Sequence, residues 1–162
     1  QRGKKYALKL KEIEGENRGR GYFWEAAFMG EIGKEKSIIS SLFMIEEIRA
    51  KLKKCINLEP KFAPAYDIMA RLYNQAPVWP LSIGDRQKAL QFRKKSVELD
   101  PHNFEYQWLL YENYMEIGKI KKAERVLRNI LEIKDDKSSK FYYGKDIRRE
   151  VKEKAKKELK RF

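Results

Sequence analysis

The chain has one cysteine and one histidine among 162 residues, and no apolar run approaching the roughly 18 residues that a membrane-spanning helix needs. A single cysteine excludes an internal disulfide. Cys55 shares a helical face with Ile48 and Leu52, so it reads as a small buried hydrophobe rather than a reactive thiol. The lone His102 follows Pro101 in a turn, with no Cys or carboxylate cluster at metal-ligand spacing, so no metal or cofactor is expected. Gly15, Gly19 and Gly21 lack the preceding strand and the Lys-Ser/Thr pair of a phosphate loop. No motif pairs a nucleophile with a base. The expectation is a protein that is not an enzyme.

Charge is abundant but unevenly placed. Charged residues make up 38% of the chain, mostly Lys, Glu and Arg, a bias that suits a thermophile. The net charge of +13 first suggests nucleic acid. Residues 1–11 carry five basic and no acidic side chains, and residues 137–162 carry a net +7, which leaves only +1 for residues 12–136. A phosphate-binding groove must be basic where its ligand lies. Here the excess sits at the two ends, so no specific nucleic-acid partner is expected.

Two of the five prolines close near-identical phrases, Asn57-Leu58-Glu59-Pro60 and Glu98-Leu99-Asp100-Pro101. Each phrase ends a Lys-rich amphipathic stretch and precedes an aromatic-rich one. After Pro101, Leu110 and Tyr114 fall one turn apart, Ala123 falls at a close helix crossing, and Leu127 and Ile130 continue the buried face. After Pro60, Tyr66, Met69, Ala70 and Tyr73 occupy the first-helix positions, and Ala89 precedes Pro101 by twelve residues. These offsets resemble the tetratricopeptide repeat, a 34-residue helix pair closed by proline. The prolines are 41 residues apart, so the first unit holds seven extra residues, placed in the inter-helix loop at about Ala76 to Ser82.

The expected fold is all-α, a tetratricopeptide-like solenoid of antiparallel helix pairs forming a single domain over 1–162. Divergent helices occupy 1–59, a unit with the inserted loop 60–100, a second unit 101–135, and a C-terminal capping helix 144–161. Helices are predicted at about 3–14, 22–32 and 37–57, with a turn over 15–21 between the first two. Others start near Phe62, near Gly84 or Asp85, near Asn103 and near Lys119, with Gly118 between the last two. Ser82 and Asp85 have capping-box spacing, which predicts the start of the fifth helix. In the last helix, Ile147, Val151, Ala155 and Leu159 recur every fourth residue, a stripe that would cap the open end of the solenoid.

In such arrays the concave face is built from residues two, five, nine and twelve of each first helix. Those positions hold Pro64, Asp67, Arg71 and Asn74, then Glu105, Trp108, Glu112 and Met115, and in a divergent earlier unit Tyr22, Glu25, Met29 and Ile32. The face is mixed, aromatic and mildly acidic. It lacks the several Lys, Arg and Asn side chains with which co-chaperone clamps hold a carboxylate terminus. The candidate groove residues are Tyr22, Glu25, Met29, Asp67, Arg71, Asn74, Trp108, Glu112 and Met115, together with Trp79, whose loop is expected to fold over the groove and bury the ring. They suit an apolar or amphipathic ligand, or a protein partner. Tyr, Trp and Met at helical spacing also pack more often than they bind.

The inserted loop carries a second resemblance. Leu72-Tyr73, then Ala76-Pro77-Val78-Trp79-Pro80-Leu81-Ser82-Ile83-Gly84-Asp85, then Lys88-Ala89-Leu90 and Leu99-Asp100-Pro101 resemble the T component of TRAP transporters, the tripartite ATP-independent periplasmic systems. Tyr22-Phe23-Trp24-Glu25-Ala26-Ala27 with Gly30 is similar to that family's aromatic helix, although Ile32 stands where an aromatic is often found. The resemblance implies an exported, periplasmic helical protein that assists a solute-binding protein, offers a cavity to a small ligand, and assembles as a homo-oligomer. No signal peptide or lipidation cysteine opens the chain, and Gln1 begins almost directly inside a helix, as expected if upstream residues were removed. The alternatives are a general protein–protein adaptor, cytoplasmic or peripheral, that takes a peptide or helix in the groove, and a surface-associated protein whose basic ends touch acidic lipid or a polyanion.

Overall fold

A computed structural model describes residues 19–34, 38–78, 81–133 and 145–162. The helix expected at 3–14, the linker at 134–144 and Trp79 lie outside the described residues. Seven helices run through the described residues: α1 Arg20–Lys34, α2 Ile38–Leu58, α3 Ala63–Gln75, α4 Arg86–Leu99, α5 Phe104–Glu116, α6 Ile120–Glu132 and α7 Lys145–Leu159. They fall into two compact units whose boundary lies between Asp85 and Arg86, inside the helix pair predicted over 60–100.

In the first unit α2 packs against both α1 and α3. Ile48, Leu52 and Cys55 recur at steps of four and three, which places them on one side of α2, and all three are buried. Burial pushes the Cys55 thiol up to about 12, with the charge of Glu59 adding to it, so at neutral pH the group is a packed, neutral thiol. Two polar ties hold α1 in place. Lys51 Nζ lies 2.7 Å from Glu25 Oε2, and Arg20 Nε lies 3.2 Å from Glu59 Oε2. Phe23 meets Phe62 edge to face at 5.0 Å between ring centres, just before α3 begins. The α1 helix starts at Arg20, inside the turn expected over 15–21, and runs two residues past the expected end.

Between α3 and α4 the chain makes the predicted long connection. It closes on itself: the Gly84 N–H donates to Pro77 O at 2.8 Å and the Asp85 N–H donates to Tyr73 O at 2.9 Å. A β-carbon on Gly84 would press into the backbone carbonyl oxygens of Ala76 and Pro77, so only glycine fits. These bonds overturn the capping-box expectation. The N–H groups of Gly84 and Asp85 serve the loop rather than a first helical turn, and α4 begins at Arg86, one or two residues past the expected start at Gly84 or Asp85.

The second unit holds α4 to α7, with α5 against α4, α6 and α7. Asn103 caps α5 by accepting from the Tyr106 N–H at 3.1 Å, a contact worth about 1 kcal/mol. Gly118 has φ 70°, a left-handed conformation that turns the chain between α5 and α6. On α6, Ala123, Val126, Leu127 and Ile130 follow three-and-four spacing and are buried, while Lys121, Lys122, Arg125 and Arg128 are exposed. Each large aliphatic side chain so buried contributes about 1.5–3 kcal/mol.

The closing helix α7 docks on this unit through Val151 and Ala155, both buried, with Leu159 partly covered. Ile147 departs from the expected stripe, since it is 43% exposed and Arg148 is buried instead. A row of residues four apart drifts by about 40° per step around an α-helix, so its ends cannot all face one neighbour.

Candidate functional site

A cleft of about 780 Å³ opens in the second unit, and its main wall is one face of α5. Trp108, Tyr111, Glu112, Met115 and Glu116 are spaced three, one, three and one residues apart, which keeps them on one side of the helix. Ile120 contributes from the start of α6. Glu158 contributes from α7, and Arg161 and Phe162 follow just beyond it.

The polar groups are tied into the wall. Trp108 Nε1–H donates to Glu112 Oε1 at 2.8 Å, one turn along α5. The Tyr111 hydroxyl donates to Glu158 Oε2 at 3.0 Å, and Arg161 Nη1 donates to the same carboxylate at 2.8 Å. Tyr111 is pushed up to about 12, first by burial and then by the hydrogen bond and negative charge of Glu158. Its proton therefore stays in place throughout the physiological range. The Trp108 and Tyr111 rings lie 5.1 Å apart, tilted by 49°.

The apolar groups face outward to an unusual degree. Met115 is 37% exposed, and Ile120 and Phe162 are each 45% exposed. These large apolar side chains are gathered in one concavity and left accessible to water. Nothing in the wall pairs a nucleophile with a base. Among the described residues no group of His, Cys, Asp and Glu is arranged to hold a metal ion, and no helix is long and apolar enough to cross a membrane.

Of the ten candidate groove residues, the cleft brings together Trp108, Glu112 and Met115. The others lie in the first unit or outside the described residues. Tyr22 is buried, with Lys54 Nζ 4.3 Å from its ring centre. Glu25 is buried against Lys51. Asp67 is buried and accepts from Arg71 Nε at 2.9 Å, one turn along α3. Met29 and Asn74 are half-buried, and Trp79 is not described. His102 is exposed.

Sequence reasoning missed Tyr111, Glu116, Ile120, Glu158, Arg161 and Phe162. Tyr111 and Glu116 adjoin chosen positions on the same helical face and could have been found by widening that face. Glu158, Arg161 and Phe162 carried no such signal, because the closing helix read only as an apolar cap.

No protein-family profile matches the chain, and no curated protein matches it in sequence. Solved structures do. The chain is similar to a thermophilic tetratricopeptide-repeat protein of Thermus thermophilus, with a TM-score of 0.69 over 94% of this chain and 70% of that one, at 17% identity. It is also similar to MamA, with a TM-score of 0.61 over 97% of this chain and 82% of that one, at 17% identity. Likeness at this identity carries the fold and nothing finer: an all-α solenoid of the tetratricopeptide type.

Proposed function

We propose that this chain is a non-enzymatic interaction scaffold whose contact face in the second unit is the cleft walled by α5. The observation that carries this reading is the cluster of accessible apolar side chains, Met115, Ile120 and Phe162, around the half-buried Trp108. A scaffold needs a concave, partly apolar surface held in shape by its own packing, and the Trp108–Glu112 and Tyr111–Glu158 bonds supply that rigidity. The cleft is open and broad, which suits a segment of a protein better than an enclosed small molecule.

The test is a photo-crosslinking amino acid placed at Met115 and, separately, at Arg149 on the exposed side of α7, each introduced into cells of the native organism. The scaffold reading expects a discrete crosslinked partner from position 115 and not from 149. Equal crosslinking at both positions would remove it.

A finer reading follows the loop resemblance: an exported, periplasmic accessory of TRAP-type solute uptake that contacts a solute-binding protein and assembles with copies of itself. What favours it is the Pro77-to-Asp85 segment, where the close-packed Gly84 accounts for the glycine in the Ser-hydrophobic-Gly-Asp stretch. It rests on sequence resemblance alone, and neither structural neighbour described above adds to it. Neighbouring genes for a solute-binding protein and a permease, with an export signal in the full reading frame, would favour it. A free-standing gene without such a signal would favour the general adaptor.

A further inference from the structure

The cleft is the acidic part of a basic unit. The α5 helix carries Glu105, Glu112 and Glu116 and no Lys or Arg at all. Its neighbours carry the opposite balance: five basic residues against one acidic in α4, four against two in α6, and seven against four in α7. The ionisable groups that line the cleft are Glu112, Glu116, Glu158 and Arg161, with Arg161 already bonded to Glu158. The lining is therefore net negative although the chain as a whole is +13.

Given the scaffold reading, on which this rests, we infer that the occupant of the cleft is a cationic amphipathic protein segment. An apolar side chain of that segment seats against Trp108, Met115 and Ile120, and its Lys or Arg side chains reach Glu112 and Glu116. Three physical points favour that occupant. The carboxylates stand beside exposed apolar atoms, so a segment that covers Met115 and Ile120 also brings its flanking groups to the Glu side chains. An ionised carboxylate offers about four lone-pair sites, so the single Trp108 bond leaves Glu112 with acceptor capacity for an incoming cation. An acidic segment would meet like charge and would strip water from those carboxylates without compensation. Of the basic side chains on α4, the buried Arg93 acts on Glu105 and Glu112 and offsets part of their charge, while the lining of the cleft itself, three carboxylates against Arg161, stays net negative.

The experiment uses three fluorescent helical peptides with one shared leucine pattern, whose polar positions are all Lys, all Gln or all Glu. Their affinities are measured by anisotropy on the whole chain, on Met115→Gln and on the double variant Glu112→Gln/Glu116→Gln, with folding of each checked by thermal melt. The amide in Glu112→Gln can still accept from Trp108, so the wall is preserved. We expect the Lys peptide to bind most tightly and to weaken with salt. In the double variant it should lose about three- to tenfold, the scale of one or two half-exposed ion pairs, while the Gln peptide is unchanged. Met115→Gln should weaken both. If the Lys and Gln peptides bind alike and both depend on Met115, the cleft reading stands and the cationic occupant is overturned. Preference for the Glu peptide also overturns it. If no peptide depends on Met115, the cleft reading falls and takes this inference with it. If the chain alone sediments as a dimer that Met115→Gln dissociates, the occupant is a second copy and the inference is overturned.

Discussion

The Tyr111 hydroxyl donates to Glu158 Oε2 at 3.0 Å and so joins α5 to the end of α7 across 47 residues of sequence. The bond stands beside the apolar contacts of Val151 and Ala155 and gives the closing helix a polar anchor at its C-terminal end. Tyr111→Phe keeps the ring and removes the donor. The expected cost is about 0.5–1.5 kcal/mol, with faster amide hydrogen exchange in the last turns of α7. Unchanged exchange there would show that apolar packing alone holds the helix. The pH dependence has a definite sign. Tyr111 titrates higher in the folded chain, at about 12, than the 10.0 of a free tyrosine, so its contribution is complete below about pH 10 and is lost as pH rises through 12. Over that window the parent should lose stability more steeply than Tyr111→Phe.

In the first unit the buried Glu25 is held by Lys51 Nζ at 2.7 Å. Burial, the largest single influence on Lys51, pulls it down, but the hydrogen bonds and charges of Glu25 and Glu47 together outweigh it and set it above 10.5. The contribution of this pair is therefore complete below about pH 10.5 and is lost as pH climbs through the raised value. Lys51→Met removes this ammonium from the buried carboxylate and should cost about 1–3 kcal/mol in urea denaturation. The double variant Glu25→Leu/Lys51→Met should recover most of that loss, since two apolar groups of similar volume leave no buried charge. If the double variant is no more stable than the single one, the ion pair is not what holds Glu25.

The loop before α4 sets a third expectation. Gly84→Ala drives a methyl group into the Ala76 and Pro77 carbonyls and should cost about 1–3 kcal/mol, with new protease cleavage within 76–85. Gly118→Ala meets no neighbouring atom, and its cost should come from the left-handed backbone alone, about 1–2 kcal/mol. Cleavage in the loop should appear only for Gly84→Ala. The same protease pattern in both variants would mean that the loop is not held by the Gly84 close approach.

What could be read from the sequence was whatever depends on local spacing. The two proline phrases placed the helices from α2 to α6 to within a residue or two, and the repeat is visible even in the side-chain bonds. Tyr66 donates to Pro60 O and Gln107 donates to Pro101 O, each at 2.9 Å and each six residues after its proline. Repeat offsets likewise picked Trp108, Glu112 and Met115, because all three lie on one helix. Contacts between distant segments could not be read in this way. Nothing near Glu158 in sequence points to Tyr111, and the Ser82–Asp85 spacing looked like a helix start because the Pro77 and Tyr73 carbonyls that claim the Gly84 and Asp85 N–H groups lie several residues upstream.

The register of α7 is the sharpest case, because a fourfold stripe and the true docking face make opposite claims about two residues. The stripe would bury Ile147 together with Val151, whereas Ile147 is 43% exposed and Val151 is in the core of the second unit. Ile147→Lys puts a charge where water already reaches, and it should move stability by no more than about 0.5 kcal/mol. Val151→Lys removes a packed side chain, worth about 1.5–3 kcal/mol by burial alone, and forces a cation against α5 and α6. Thermal melts of the two variants should therefore separate clearly, with Val151→Lys well below Ile147→Lys. Equal melting points would mean that α7 is rotated about its axis and docks through its Ile147 side.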